Sequence, residues 1–217
     1  MFLPTTCPAC NQPGPAPCPA CVAVMSRSPP VPVPDGLTAC RALLAYEGPA
    51  RELVARLKYR NARSALDWLA AGIADLVRPQ DLPAAVTWAP TSRGRRRSRG
   101  FDQAEVLARH LATQLSVACP AMLTRLPGPP QTGRSHVERR VGPRFEVRRA
   151  ALRFRHPQGL RSPDRSELRT VLLVDDVITT GATLSAAGTA LLEAGLGPLI
   201  GLAAAYTAPP SWSPPTP

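Results

Sequence analysis

The chain of 217 residues has one lysine, Lys58, and few aromatics: four Phe, three Trp and three Tyr. It has no uninterrupted apolar stretch near the 18 residues that a membrane-spanning helix needs. With Lys58 far upstream of any glycine-rich turn, a Gly-Lys-Ser/Thr phosphate loop is excluded. No Asp follows Asp176, which removes the downstream phosphoacceptor that a receiver domain requires. The scarcity of rings leaves few platforms on which nucleic-acid bases could stack. The start, Met-Phe-Leu-Pro-Thr-Thr-Cys7, lacks the basic segment and apolar core of a secretory leader, so a cytoplasmic location without membrane insertion is expected.

What is abundant is arginine and proline. Basic residues number 26 against 15 acidic ones, a net charge of +11, so an anionic partner is expected. Arginine grips phosphate and carboxylate oxygens with two parallel N–H bonds, which suits nucleic acid or a polyphosphorylated metabolite. Arginine bias of genomic origin explains the missing lysine but not the net excess. The 27 prolines cluster in Ser28-Pro-Pro-Val-Pro-Val-Pro-Asp-Gly36 and after Pro209. These clusters divide the chain into a cysteine module at 1–26, a linker at 27–36, a main domain at 37–207 and a tail at 208–217. With 44% apolar residues, the chain can bury a core.

Six cysteines are present, and four of them form two identical Cys-Pro-Ala-Cys knuckles, Cys7 with Cys10 and Cys18 with Cys21. Four thiolates at such spacing can close a tetrahedral Zn2+ site, and a segment so poor in apolar residues needs a staple. A redox pair is the alternative. The zinc would be structural, since four protein ligands leave no open position. Cys40 and Cys119 lack partner spacing and read as small core residues.

The run Val171-Leu-Leu-Val-Asp-Asp-Val-Ile-Thr-Thr-Gly-Ala-Thr183 reads as a strand buried on both faces that stops at two carboxylates. A hydroxyl-rich glycine turn follows, then helical spacing from Thr183 to a glycine stop at Gly195. A helix amino end presents unpartnered N–H groups and the positive end of the dipole, so the turn is a natural phosphate cradle. Gly181 permits close approach, and Thr179, Thr180 and Thr183 supply hydroxyls. Asp175 and Asp176 would repel phosphate, but they can accept hydrogen bonds from two neighbouring sugar hydroxyls.

Upstream, the pattern predicts a strand over 40–46, helices over 50–61 and 66–77, and a strand over 85–89. Next comes Pro90-Thr-Ser-Arg-Gly-Arg-Arg-Arg-Ser-Arg-Gly-Phe-Asp-Gln103, expected as a loop with five arginines that feeds a helix over 103–115. Asp102 and Glu105 have capping-box spacing at that helix start. The loop would be a second anion cradle at a strand-to-helix junction, suited to a diphosphate. A third basic segment, Gln131 to Arg140, could close over a charged substrate, and its His136 reads as a surface residue.

The run 171–183 resembles the phosphoribosyl diphosphate (PRPP) motif of type I phosphoribosyltransferases at every position. The resemblance implies that Asp175 and Asp176 hold the ribose hydroxyls and act catalytically. It further implies that Thr179, Thr180, Gly181, Ala182 and Thr183 wrap the 5-phosphate, with Val177 and Ile178 part of the same PRPP-binding run. The paired knuckles, Leu57-Lys58-Tyr59, Arg99-Gly-Phe-Asp-Gln103, Gln131-Thr-Gly133 with Glu138-Arg139-Arg140, and that motif together resemble the ComF family, which is tied to DNA uptake in competent bacteria.

That resemblance implies an α/β type I phosphoribosyltransferase fold, a parallel sheet flanked by helices, with a small zinc ribbon. By the same likeness Thr91, Ser92, Arg93, Arg95 and Arg99 form the diphosphate loop, and Gln131, Arg139 and Arg140 belong to a flexible loop. The implied reaction is pentosyl transfer from PRPP with Mg2+, and single-stranded DNA and competence proteins are implied partners; a non-catalytic binder of PRPP or single-stranded DNA is the alternative. The chain departs from the family in carrying Asp102 where Asn is usual, Gly142 where Asn is common, and Thr87-Trp-Ala-Pro90 in place of Val-Pro-Val-Pro.

Overall fold

The computed structural model describes residues 6–57, 65–127, 142–154 and 170–209. Lys58, Tyr59, Gln131, His136, Arg139 and Arg140 lie outside the described residues.

Four parallel strands form the central sheet, in the order β1 (Ala39–Ala45), β6 (Leu199–Tyr206), β5 (Thr170–Ile178) and β2 (Pro83–Trp88). The unbroken aliphatic character of 171–174 has its reason here: all four residues are at most 1% exposed. Leu172 and Val174 pack toward one face with α2 (Gly48–Arg56), α3 (Leu66–Ala74) and α5 (Gln103–Leu115). Val171 and Leu173 pack toward the other with α6 (Ala182–Glu193). Each such side chain contributes about 1.5–3 kcal/mol by leaving water. On β6 the interior is built from small residues, and a Cβ at Gly201 would meet Leu37, Cys40 and Leu184 at 2.8–3.2 Å. A short antiparallel hairpin, β3 (Leu123–Arg125) with β4 (Phe145–Val147), lies on the α6 side.

The expected strand at 171–174 does not stop at the acid pair; β5 continues through Asp175 and Asp176 to Ile178. The cause is β6, whose far end still pairs Val177 with Ala205 and Ile178 with Tyr206. Helix α6 then runs to Glu193 and closes in a Schellman turn, with Leu196 N–H on Leu191 C=O and Gly195 N–H on Leu192 C=O. The helices expected over 50–61 and 66–77 are shorter, Gly48–Arg56 and Leu66–Ala74.

The arginine stretch, expected as a loop, contains a seven-residue helix, α4 (Arg93–Arg99). Arginine is a good helix former, the Ser92 hydroxyl caps the first turn by accepting the Arg95 N–H at 3.3 Å, and Gly100 at φ 78° ends it.

The amino-terminal module, which carries the short helix α1 (Pro19–Ala23), docks on this body. Cys7, Ala9 and Cys21 are buried in the same core as Leu53, Val54 and Leu57, and the Arg56 guanidinium donates to Asn11 Oδ1. Residues 26–28 lie antiparallel along β1, with Ser28 N–H on Leu43 C=O and Ala45 N–H on Ser26 C=O. Pro34 approaches Gly181, and Gly36 approaches Gly188 and Thr189.

Candidate functional site

The cleft opens where β2 ends. Its last ladder bond to β5 is Ala89 N–H on Val174 C=O, 3.0 Å, after which the chain turns away into α4. Beyond Val174, β5 has no strand partner on that side among the described residues, and a cavity of about 230 Å³ lies there. Its walls are Ala89, Thr91, Arg95, Arg99, Asp102, Gln103, Ala104, Arg125, Asp175, Asp176, Val177, Thr179 and Thr183. Two helix amino ends therefore reach it: α5 through Gln103 and Ala104, and α6 through Thr183.

Neighbouring strand residues face opposite ways, yet both carboxylates line the cleft because it sits over the sheet's carboxyl edge. Each folds back onto the chain: Asp175 Oδ1 accepts the Asp176 N–H at 2.9 Å, and Asp176 Oδ1 accepts the Val177 N–H at 2.8 Å. Burial, followed by the charge of Asp176, pushes the Asp175 carboxyl well above the usual carboxylate range. Gly181 is the amino cap of α6 at φ 75°, a left-handed conformation natural to glycine, and a Cβ there would meet Pro34 at 3.0 Å.

Of the acid-pair and threonine positions named from the sequence, Asp175, Asp176, Val177, Thr179 and Thr183 line the cleft. Ile178 is buried in the core on the α6 side, Thr180 and Ala182 face solvent, and Gly181 is buried at the turn. From the arginine stretch, Thr91, Arg95 and Arg99 line the cleft, Ser92 serves as the cap of α4, and Arg93 is exposed. The expected capping box does not form. Asp102 is the amino-cap residue of α5, but its carboxylate accepts the Thr91 N–H at 2.7 Å, and Glu105 pairs with Arg96 at 3.4 Å and Arg109 at 2.9 Å. Those pairs hold charge on the far side of α4 and leave Arg95 and Arg99 to the cleft.

Sequence reasoning missed Arg125. It enters from β3, a strand of three residues, too short for any periodicity to register. Its guanidinium stacks 5.9 Å from the Phe145 ring, and burial, with Arg95 nearby, lowers its pKa while Asp175 and Asp102 oppose the shift. Gln103 is the second addition: it is 6% exposed, and Arg99 donates to its Oε1 at 2.8 Å.

At the other end of the chain, Sγ atoms of Cys7, Cys10, Cys18 and Cys21 all lie within 4.8 Å of one another, with Cys10 and Cys18 3.8 Å apart. Zn–S bonds of about 2.3 Å place tetrahedral sulfurs about 3.8 Å apart, so the donor set fits zinc. All four are free thiols, as are Cys40 and Cys119. Burial raises the Cys7 thiol, but N–H donors from Cys18, Cys10 and Ala9 outweigh it and bring it down to about 6, giving a ready thiolate. Burial pushes Cys40 up to about 12 and Cys119 up to about 11, which makes both poor nucleophiles.

The structure of TT1426 from Thermus thermophilus is 17% identical, with a TM-score of 0.35, over 70% of this chain and 85% of that one. No curated protein matches the chain. Residues 102–216, just over half of the chain, match the phosphoribosyl transferase domain, and with its parallel sheet and acid-pair cleft the chain belongs to that family.

Proposed function

We propose that the protein binds PRPP and transfers its phosphoribosyl group to an acceptor, as a ComF-type transferase with a structural zinc ribbon and a link to DNA uptake. One observation carries the reading: a single cleft is lined both by Arg95 and Arg99, after β2, and by Asp175, Asp176, Thr179 and Thr183, after β5. That is a leaving-group end and a sugar-phosphate end in one cavity.

In this reading the Thr179 and Thr183 hydroxyls and the α6 amino end hold the 5-phosphate, and the two carboxylates orient the ribose through its hydroxyls. Mg2+ prefers hard oxygen ligands, which Asp175 and Asp176 offer beside those of the diphosphate, and when bound it neutralises leaving-group charge. Arg95 and Arg99 stabilise the diphosphate as the C1–O bond breaks and it departs with the electron pair. The acceptor then forms its bond to C1 of an oxocarbenium-like ribose. The protein's contribution is position and charge, with no covalent nucleophile.

Calorimetric titration with PRPP and Mg2+, beside ribose 5-phosphate and diphosphate separately, tests this. Micromolar, magnesium-dependent PRPP binding supports it; an absence of binding by all three ligands refutes it. A second reading is favoured by the solvent-facing arginines of α4, Arg93, Arg96 and Arg97: a non-catalytic binder of PRPP or single-stranded DNA. DNA binding would weaken by about 0.7 log units per phosphate contact for each tenfold rise in salt.

A further inference from the structure

Gln103 poses a problem in hydrogen bonding. Its side chain is buried at the first turn of α5, and its Nε2 has no hydrogen-bond partner among the described residues. Buried amide donors are almost always satisfied, because an N–H stripped of water with no acceptor forfeits its solvation without return. Turning the amide over does not help. Arg99 carries only donors, so the oxygen must face the guanidinium, and the amino group is held toward the other side.

Gln103 is among the residues that line the cleft, together with Arg99 and Ala104, and a ligand oxygen seated there would offer the acceptor that the described residues do not give Nε2. The amino end of α5 lies at the same wall: Asp102 stands at its cap, accepts the Thr91 N–H at 2.7 Å and also has the Glu105 N–H beside its carboxylate. The Arg99 guanidinium, the Gln103 side chain and the first turn of α5 then meet at one wall, with Arg95 beside them. All of them ask for an oxygen acceptor carrying negative charge.

We propose that Gln103 is a recognition residue for the diphosphate moiety of the substrate, held in register by Arg99 and donating from Nε2 to one diphosphate oxygen. The division of labour is chemical. Arg95 and Arg99 supply attraction, which is long-range and tolerant of orientation, whereas the neutral amide supplies one short directional bond that fixes where the leaving group sits. The proposal rests on the reading of the cleft as a PRPP site, and it adds a residue at the leaving-group end.

Two variants separate its parts. Gln103→Glu keeps an oxygen for Arg99 in the same shape and removes the donor; Gln103→Leu removes the donor without adding charge. The full-length, zinc-loaded protein and both variants are titrated with magnesium diphosphate and, separately, with ribose 5-phosphate, and their thermal midpoints are recorded. Diphosphate affinity should fall about tenfold or more in both variants, with ribose 5-phosphate affinity within about twofold of the parent. The midpoint of Gln103→Glu should not fall, since the pairing with Arg99 survives. Diphosphate affinity unchanged in Gln103→Leu would overturn the proposal, as would an equal loss of both ligands. Binding of ribose 5-phosphate but not diphosphate by the parent would overturn it and leave the sugar-phosphate site standing; binding of neither removes the underlying reading itself.

Discussion

The Asp102 carboxylate accepts the Thr91 N–H at 2.7 Å, and this one bond ties the entry of the arginine segment to its exit. Between them α4 is almost wholly solvent-exposed and has no buried residue, so this tie, with the Arg99–Gln103 bond and the Arg96–Glu105 pair, holds Arg95 and Arg99 against the cleft. Burial holds the Asp102 carboxyl above its ordinary range, opposed by the Thr91 amide. Asp102→Asn keeps an acceptor for Thr91 and removes the charge. Its diphosphate affinity should rise severalfold with no loss of stability, whereas Asp102→Ala should lose about 1–2 kcal/mol and bind diphosphate more weakly. Thermal melts and calorimetry on the two variants check both arms.

Asp175 is expected to trade stability for binding. A carboxyl raised by burial and by Asp176 binds a proton more tightly in the folded chain than in the unfolded one, so its contribution to stability falls as pH rises from the ordinary carboxylate range toward the raised value. Asp175→Asn should therefore melt on the order of 2–4 °C higher at neutral pH and lose that advantage at about pH 4. The same change, together with Asp176→Asn, should abolish PRPP binding. Melting curves across this pH range and one titration decide the matter.

For the cysteine module, metal analysis should return one zinc per chain, and Cys7→Ser or Cys21→Ser should remove it. Both side chains are buried in the core that contains Leu53 and Val54, so zinc loss should lower the melting temperature of the whole protein. A drop on the order of 10 °C in a single transition is expected. Two separate transitions would mean that the module melts independently.

At the start of β1, Arg41 pairs with Asp81 at 2.6 Å, and Asp81 also accepts the Arg78 N–H at 2.8 Å. Burial raises the Asp81 carboxyl, but Arg41 and the Arg78 amide outweigh it and hold the group below its ordinary value. The stability it contributes is present above about pH 4 and is lost as pH falls through the lower, folded-state value. Asp81→Asn should cost about 2 kcal/mol near neutrality, and the gap to the parent should close in acid; denaturant melts at several pH values measure it.

The parts of the site legible in the sequence are those whose neighbours in space are neighbours in the chain. The acid pair, the threonines and Gly181 belong to one strand-turn-helix passage, so their spacing alone placed them on a common cradle. Helix α5 was readable to the residue because its apolar stripe faces one core. The arginine helix was not, because no apolar periodicity marks a helix that buries nothing. Asp102 was read as a local cap because spacing cannot reveal a competing donor eleven residues upstream. Arg125 reaches the cleft only through the fold of the β3–β4 hairpin, and no local pattern marks it.

The antiparallel contact of residues 26–28 with β1 has a consequence for handling the protein. β1 is one of the two outer strands, and an uncovered outer strand offers its N–H and C=O groups to any passing chain. Ser26 and Ser28 occupy two of those groups, on Ala45 and Leu43. A truncation that begins after the proline-rich segment, intended to isolate the transferase domain, would strip this cover and bare a sticky margin. Such a fragment should self-associate into sheet-extended aggregates, whereas one that retains residues 26–36 should remain dispersed.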